Sequence, residues 1–263
     1  MPDDWEPTRS TLHVYANAVG VVARAHAVAH PKWWHISLKV KPTGLVTDTM
    51  PVPGGGTLWL RMDLRKHEVM IETSGGAAQS VPMDSGLTGT QFGDAVIAVI
   101  AGFGLEADYA RAKFEGDDAR EYSTAAAESF FAALVNIDHN LETHRSSLGG
   151  SVGPLQIWPH GFDLAFEWYG TKTVSHVEEG ETVELPSQLN LGFYPAGRAY
   201  FYSNPWPFDP TVTQVQLPGP AEWNTEGWEG SILYYDELLA TDDPAQLLAD
   251  YAQAVFAAAS PGL

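Results

Sequence analysis

The sequence predicts an α+β fold, with antiparallel sheets and helices packed on one face of them. Short segments rich in β-branched and aromatic residues, bounded by Gly and Pro, are typical of strands, and longer segments with apolar residues at helical spacing are typical of helices. The strands form two runs, with helices before, between and after them, which favours α+β. We expect one integral domain over 1–263, made of two rough sheet-plus-helix halves, 1–120 and 121–263.

The first half is predicted to begin with a helix over residues 11–30, because apolar side chains recur there at helical spacing and Pro31 then ends the run. Four strands are predicted to follow: "WHISLKV", "GLVTDTMPV", "TLWLRMDL" and "EVMIETS". In the third of these strands, leucine and methionine alternate with Trp59 and charged residues, so one face of this sheet is expected to contact water.

The rest of the chain is predicted to contain further helices and a second run of strands. Helices are expected at 88–103 and 123–147, with a strand at 106–114 between them. Strands are then expected in "LQIW", "FDLAFEW", "LNLGFY", "AYFYS" and "SILYYDEL". An aspartate ahead of Pro244 can cap a closing helix.

The composition is that of a globular protein with an acidic surface. The 263 residues are 44% hydrophobic and 11% aromatic, and 33 Asp and Glu against 14 Lys and Arg give a net charge of −19. This charge repels phosphate backbones and anionic lipids, so nucleic-acid and membrane partners are not expected. The lack of cysteine excludes disulfides and thiolate chemistry. With no apolar span and no basic leader at its start, the chain is expected to be cytoplasmic.

The stretch "HAVAHPKWWH" contains three histidines, and His26 and His30 stand four residues apart, as metal ligands on a helix do. Both fall on the apolar stripe of the predicted helix, whereas His35 faces away from the apolar residues of the following strand. His144, near the apolar stripe of helix 123–147, is a candidate third ligand for a divalent metal. The alternative is that these histidines bond to backbone or carboxylates at helix ends, and no other cofactor is predicted.

A pocket for a small organic molecule is the function that the sequence favours. In "GPLQIWPHGFDLAFEW", His160 and Asp163 stand at a break between two predicted strands, beside aromatic residues. In an enzyme, His35 or His160 would be the general acid or base. Asp163 would orient that histidine, and Arg145 would bind an anionic group. The predicted walls of the pocket are Trp33, Trp34, Trp158 and Tyr194. Alternatively, Asp163 closes a hairpin turn or pairs with an arginine.

Other functions stay open. The Trp-rich connection Pro205–Trp228 offers Trp206, Trp223 and Trp228 as aromatic anchors for a partner, which would make the chain a non-catalytic interaction module. The aromatic run "GFYPAGRAYFYSNPWPF" can stack on a sugar or another ring, although such strands more often build core. The sequence is also compatible with a homo-oligomer.

Segments spread over nearly the whole chain resemble an uncharacterised family of bacterial proteins known only as a domain of unknown function. The matching segments are "KWWHISLKVKPTGLVTDTMPVPGG", "LQIWPHGFDLAF", "LNLGFYPAG" and "SILYYDELLATDDP". The resemblance implies one integral unit and supplies no activity. The chain departs from the family pattern where Gln188 and Leu189 replace the histidine and glutamate of an S-H-E motif. It departs again where His160, Gly161, Phe162 and Asp163 stand in place of G-S-F-D. A site resting on that histidine and glutamate could not work here unchanged.

Overall fold

The computed structural model describes residues 4–178 and 180–263, and it has the predicted α+β architecture. Its helices are α1 (Trp5–His26), α2 (Gly89–Gly102), α3 (Thr124–Ser147), α4 (Tyr235–Leu239) and α5 (Pro244–Ala259). Its strands are β1 (Lys39–Lys41), β2 (Gly44–Val46), β3 (Met50–Pro51), β4 (Thr57–Asp63), β5 (Glu68–Thr73), β6 (Ala78–Pro82), β7 (Ser151–Val152), β8 (Gln156–Trp158), β9 (Asp163–Glu178), β10 (Glu181–Tyr194), β11 (Tyr200–Ser203), β12 (Pro205–Trp206), β13 (Glu222–Asn224) and β14 (Gly230–Tyr234). None of the helices in the described part of the chain combines the length and apolar character that a membrane span requires.

Two compact units make up the chain. The first comprises the residues up to Asn136 together with Gln156–Phe162, and the second comprises Ile137–Leu155 together with Asp163–Leu263. The segment Gln156–Phe162 belongs to the first unit although it follows α3 in the chain, so the units do not coincide with halves cut at residue 120. That the chain forms one integral domain stays a prediction.

Helix α1 is central to the core of the first unit. Tyr15 stacks on Phe92 of α2 with ring centroids 3.6 Å apart, and Trp5 stacks on Phe130 of α3 at 4.3 Å. All four side chains are buried. Stacked aromatic pairs stabilise a core beyond the area they bury, so these contacts fix α1 against its two neighbours. The Tyr15 hydroxyl is satisfied because it donates a hydrogen bond to the carbonyl of Leu87 at 2.7 Å.

Helix α1 begins and ends earlier than the predicted range 11–30. It ends at His26, since Ala27 has an extended backbone with φ −75° and ψ 158°. The next residue, Val28, is 80% exposed, so no packing holds another helical turn there. Moreover, His30 precedes a proline, a position that disfavours helical backbone. The four-residue separation of His26 and His30 is therefore not a helical spacing.

The sheet of the first unit has the strand order β1-β2-β4-β5-β6, and β3 pairs with β4. Leu58, Leu60 and Met62 of β4 are fully buried, as their alternation predicts. On the opposite face of β4, Arg61 forms an ion pair with Glu72 of the neighbouring strand at 3.0 Å. One face of this sheet thus carries the core and the other carries charged side chains.

The segment 106–114, predicted as a strand, is instead a loop with a 3-10 helix at Arg111–Lys113. Its anchor is Phe114, which is buried against α2. A Cβ atom on Gly93 of α2 would stand 2.1 Å from the Phe114 ring, so a glycine makes room for the ring. The burial of Phe114 against α2 holds this segment in place, and no alternation of buried and exposed residues along the loop contributes.

The sheet of the second unit contains strands in the order β13-β14-β11-β10-β9-β7, with β12 paired to β10. Strands β9 and β10 extend well beyond the predicted segments 162–168 and 189–194. They form a hairpin arm that remains paired through Val177 and Thr182, and Gly180 in its turn has a φ of 86°. Most described side chains of this arm are exposed, so it lacks the apolar alternation that marks a buried strand.

The second sheet has a buried face and an open face. Phe193 and Phe201 are fully buried on the face that α5 covers. Tyr251 of α5 is also fully buried, and its hydroxyl bonds with a serine hydroxyl of β14 at 2.8 Å. Because successive side chains of a strand point to opposite faces, Tyr200 and Tyr202 of β11 lie on the open face.

Gly93→Ala is expected to destabilise the protein by about 1–3 kcal/mol, because the added methyl group overlaps the buried ring of Phe114. Gly102→Ala in the same helix is the matched control: nothing lies within 4 Å of its added methyl group, and alanine favours helical backbone. Urea denaturation measures both changes. If Gly93→Ala lowers the free energy of unfolding no more than Gly102→Ala does, the described packing of Phe114 is contradicted.

Candidate functional site

The first unit contains a cavity of about 380 Å³, here called the basic cavity. It is lined by α1, the segment that follows α1, the 3-10 helix at Arg111–Lys113 and the turn after β8. The lining residues are Asn17, Gly20, Val21, Arg24, Lys32, Trp33, Ile36, Lys113, Trp158, Pro159 and His160. Three of the predicted site residues, Trp33, Trp158 and His160, are therefore brought together in one cavity.

One wall of the basic cavity consists of Asn17, Gly20 and Arg24, which share a face of α1 at spacings of three and four residues. Gly20 lets the backbone of α1 come close to the turn after β8. A Cβ atom on Gly20 would lie 2.9 Å from Cγ of Pro159 and 3.5 Å from the carbonyl oxygen of Ile36. A side chain at position 20 would therefore push Pro159, and with it the turn after β8, away from α1.

Trp33 forms an aromatic wall and has an unusual backbone conformation. Its φ of 60° lies in the left-handed region, which is uncommon for residues other than glycine. The turn is held by hydrogen bonds from the Trp33 amide to the His30 carbonyl at 2.9 Å and from the Ile36 amide to the Trp33 carbonyl at 3.1 Å. The side chain is 50% exposed, and Cζ of Arg24 lies 5.0 Å from its ring centroid. Such backbone conformations cluster at ligand sites, so Trp33 is a candidate ligand contact.

His35 does not lie on the water-exposed face of a strand, and that prediction is wrong. The turn at Trp33 leads into a 3-10 helix, Trp34–Ile36, in which His35 is buried with 5% of its surface exposed. Its Nδ1 accepts a hydrogen bond from the His30 amide at 3.1 Å, and its ring stacks on Trp33 with centroids 5.7 Å apart. Burial lowers the pKa of His35, although the charge of Asp48 opposes this shift. His35 thus supports Trp33 and does not line the basic cavity.

His160 lies in the turn after β8, where its exposed ring packs edge-on against Trp158 with centroids 5.9 Å apart. His13, which was not among the predicted residues, fixes this turn by donating a hydrogen bond from Nε2 to the His160 carbonyl oxygen at 3.0 Å. Burial lowers the pKa of His13. The sequence signal for His13 is its place one turn before Asn17, as a polar residue on the cavity face of α1.

Three cationic side chains, Arg24, Lys32 and Lys113, line the basic cavity, out of 14 Lys and Arg in the whole chain. None of the described lining residues is Asp or Glu. Within residues 4–178 and 180–263, neither Arg24 nor Lys113 forms an ion pair with a carboxylate. In a chain with a net charge of −19, the basic cavity is therefore a local concentration of positive charge.

Asp163 and Tyr194 line a different cavity, of about 310 Å³, on the open face of the second sheet. This tyrosine cavity is lined by Asp163, Tyr194, Tyr200, Tyr202, Asn204 and Trp228. The hydroxyl of Tyr202 donates a hydrogen bond to the Asp163 carboxylate. The structure therefore pairs Asp163 with a tyrosine, and it does not place Asp163 among the residues that line the cavity of His160.

Arg145 and Trp34 line neither the basic nor the tyrosine cavity. Arg145 forms an ion pair with Glu142, one helical turn earlier in α3, and its Nη1 donates to the carbonyl of Gly153 at 3.2 Å. Trp34 is half-buried and stacks on the ring of His30 with centroids 4.2 Å apart. The cationic groups of the basic cavity are therefore Arg24, Lys32 and Lys113, and the predicted Arg145 is not among them.

The predicted metal ligands His26, His30 and His144 are not brought together. The His26 ring bonds through Nε2 with the Tyr109 hydroxyl at 2.8 Å, and His144 packs against phenylalanine rings of the second unit. Over the ranges that the structure describes, no three His, Asp or Glu side chains are grouped in a way that could hold a metal ion. The physical reason is that α1 ends at His26, which removes the helical spacing on which the metal prediction depends.

The three indoles of the Trp-rich connection are half-buried and packed within the second unit. Trp206 packs edge-on against His176, and Trp223 donates from Nε1 to the carbonyl of Val215 at 2.8 Å. Trp228 stacks along a tyrosine of β11. The three indoles are therefore neither fully exposed nor fully buried, and the interaction-module hypothesis stays a prediction.

The described part of the chain is an α+β fold with the basic cavity in its first unit and the tyrosine cavity in its second. Residues 1–262 match the model of a family described as a family of unknown function (DUF5996), and the chain belongs to that family. This membership confirms the resemblance carried by the "WWH" segment and the later motifs, and it assigns no activity. No curated protein and no solved structure matches the chain.

The lowered pKa of His35 predicts a stability that depends on pH. Below the ordinary pKa of 6.5, the unfolded chain binds a proton at this histidine while the folded chain still keeps the ring neutral. The free energy of unfolding is therefore highest above pH 6.5 and decreases as the pH falls below that value. His35→Asn, which retains an acceptor near the His30 amide and does not titrate, should lose less unfolding free energy between pH 7 and pH 5 than the wild type.

Urea denaturation at both pH values measures this difference, and NMR titration of the ring protons reports the pKa of His35 directly. A His35 ring that titrates above pH 6.5 would contradict the described burial.

Proposed function

We propose that the basic cavity binds a small organic anion, namely a carboxylate or phosphate group attached to an aromatic or apolar body. The observation that carries this proposal is the convergence of Arg24, Lys32 and Lys113 on a single cavity. The same cavity has indole walls and no carboxylate among its described lining residues.

The charge of the cavity supports an anionic ligand over a neutral one. Three like charges at one site repel one another, and a bound carboxylate or phosphate relieves this repulsion. Hydrogen bonds from Arg or Lys to such groups are charge-assisted and roughly twice as strong as those between neutral groups. Because the chain as a whole repels anions, binding is expected to depend on contacts inside the cavity rather than on long-range attraction.

The apolar lining supports a ligand with a ring or hydrocarbon part. Val21, Trp33, Ile36, Trp158 and Pro159 make up most of the wall that is not cationic. Pockets for small molecules are mostly apolar, with a few polar groups that fix orientation, and their volumes begin at about 300 Å³. The volume of about 380 Å³ therefore suits one small ring together with its acidic group.

The surroundings of His160 favour binding over acid–base catalysis. Among the described residues, its ring nitrogens have no hydrogen-bond partner. Asp163, the carboxylate predicted to orient it, accepts a hydrogen bond from Tyr202 instead. Catalytic histidines are typically held by such an orienting group. We therefore assign His160 the role of a further hydrogen-bond donor to the anion.

Benzoate is expected to bind at least about tenfold more tightly than benzamide, its neutral near-isostere, because only the carboxylate gains from the three cationic side chains. Phenyl phosphate carries the same ring with a phosphate and tests that form of the anion. Isothermal titration calorimetry measures the three affinities. Equal affinities for benzoate and benzamide would overturn the proposal.

Arg24→Gln and Lys113→Gln should each weaken benzoate binding by about tenfold, since each removes one charge-assisted contact. Lys41→Gln is the matched control, because it removes the same charge from an exposed position of β1 outside the cavity. If Lys41→Gln weakens benzoate binding as much as the cavity variants do, the loss of affinity follows from the net charge of the chain. The proposal that benzoate binds in the basic cavity is then contradicted.

A further inference from the structure

The tyrosine cavity is a second candidate site, and the function proposed for the basic cavity does not use it. It lies on the open face of the second sheet and has a volume of about 310 Å³. Four of the lining side chains are aromatic, and the other two are a carboxylate and an amide. A concentration of aromatic side chains around one carboxylate on an otherwise open sheet face requires a physical explanation.

Gly192 makes room for the floor of this cavity. It pairs with Tyr202 across β10 and β11, and a Cβ atom on it would stand 2.7 Å from Cζ of Tyr202 and 2.8 Å from Cβ of Ala165. Because Gly192 has no Cβ, the Tyr202 ring can lie over β10, where its hydroxyl donates a hydrogen bond to Asp163. Burial and the nearby Asp163 raise the pKa of Tyr202, so the phenol stays protonated and remains the donor.

Gly230 makes room for the indole of Trp228 in the same way. A Cβ atom on Gly230 would stand 2.1 Å from the carbonyl oxygen of Ser203 in the paired strand and 2.6 Å from Cζ3 of Trp228. The indole runs nearly parallel to the ring of Tyr200, with 17° between the planes and 6.4 Å between the centroids. Tyr194 adds a further ring, 5.5 Å from that of Tyr200. The arrangement of the aromatic walls is therefore set by backbone positions that only glycine satisfies.

The tyrosine cavity is acidic as well as aromatic. Asp163 supplies a carboxylate, and none of the described lining residues is Lys, Arg or His. Arg198, in the turn between β10 and β11, forms ion pairs with Asp236 and Glu237 and lies 3.7 Å from the ring centroid of Tyr234. The faces of aromatic rings and a carboxylate both attract cations, so every charged or aromatic feature of the lining favours a positive ligand.

We infer that the tyrosine cavity binds a small organic cation through a methylated or quaternary ammonium group. The methyl groups of such a cation pack on ring faces while its charge interacts with the rings and with Asp163. The four aromatic rings of the lining offer more surface to methyl groups than to N–H donors, which favours the methylated form over a primary ammonium.

A carbohydrate also stacks on aromatic rings, but it requires several polar partners for its hydroxyl groups. The lining side chains with several hydrogen-bonding atoms are Asp163 and Asn204, and both already bond within the second unit: Asp163 accepts from Tyr202, and Asn204 donates to the carbonyl of Glu229 at 2.9 Å. The other lining side chains each offer a single hydroxyl or indole N–H on an otherwise apolar ring. The cation is therefore favoured over the sugar.

The test compares choline with 3,3-dimethylbutan-1-ol, which has the same shape with a carbon in place of the charged nitrogen. Isothermal titration calorimetry on the full chain should show choline binding at least about tenfold more tightly than the neutral alcohol. Equal affinities would show that the cavity selects shape and not charge, and they would overturn the inference. Binding of glucose without binding of choline would overturn it as well, in favour of a carbohydrate site.

Two variants locate the binding in the tyrosine cavity. Trp228→Leu removes an aromatic wall, and Asp163→Asn removes the charge but keeps an acceptor for the Tyr202 hydroxyl, so each should weaken choline binding by about tenfold. Trp206→Leu is the matched control, because it removes a half-buried indole of the second unit that does not line the cavity. Choline binding that survives both cavity variants would place the cation elsewhere. Benzoate binding should be unchanged in these variants, because neither residue lines the basic cavity, so the two proposals fail or succeed separately.

Discussion

The contact between Gly20 of α1 and Pro159 is the constraint on which the basic cavity depends. Helix α1 is buried against aromatic neighbours and cannot move without disturbing the core, so the turn after β8 takes its position from the helix backbone. The tyrosine cavity depends on the same kind of contact, with Gly192 under Tyr202 and a second glycine under an indole. In both cases a glycine on a rigid element determines where the lining groups lie. Because those groups pack directly on the element, they are held in place as firmly as the element itself.

The two cavities use charge in opposite ways. With 33 acidic and 14 basic residues, the chain has few cations, and three of the basic ones converge on the basic cavity. An anion must bind there by close contacts, since the field of the whole chain opposes its approach. At the tyrosine cavity the local carboxylate and the overall charge have the same sign, so the whole chain favours the approach of a cation. This contrast makes two distinct ligand classes the simplest interpretation of the lining residues.

The elements with clear periodicity were predictable from the sequence, and the convergence of side chains was not. Helices at 88–103 and 123–147 follow from apolar spacing, and all four of their ends in the structure lie within one residue of those bounds. The segment 106–114 is a loop and not the predicted strand. It is held by the burial of one phenylalanine, and a single buried residue leaves no periodic pattern from which the loop could be predicted. Local motifs also indicated Trp33 as an aromatic wall, but the approach of Lys113 to the same cavity depends on tertiary packing, which residue spacing does not encode.

The indole N–H signals of the nine tryptophans in NMR spectra report directly on where added benzoate binds. If the basic cavity is the anion site, the signals of Trp33 and Trp158 shift and saturate together, while those of Trp206 and Trp228 stay in place. Unchanged Trp33 and Trp158 signals at saturating benzoate, or shifts confined to other tryptophans, would show that the basic cavity is not the anion site.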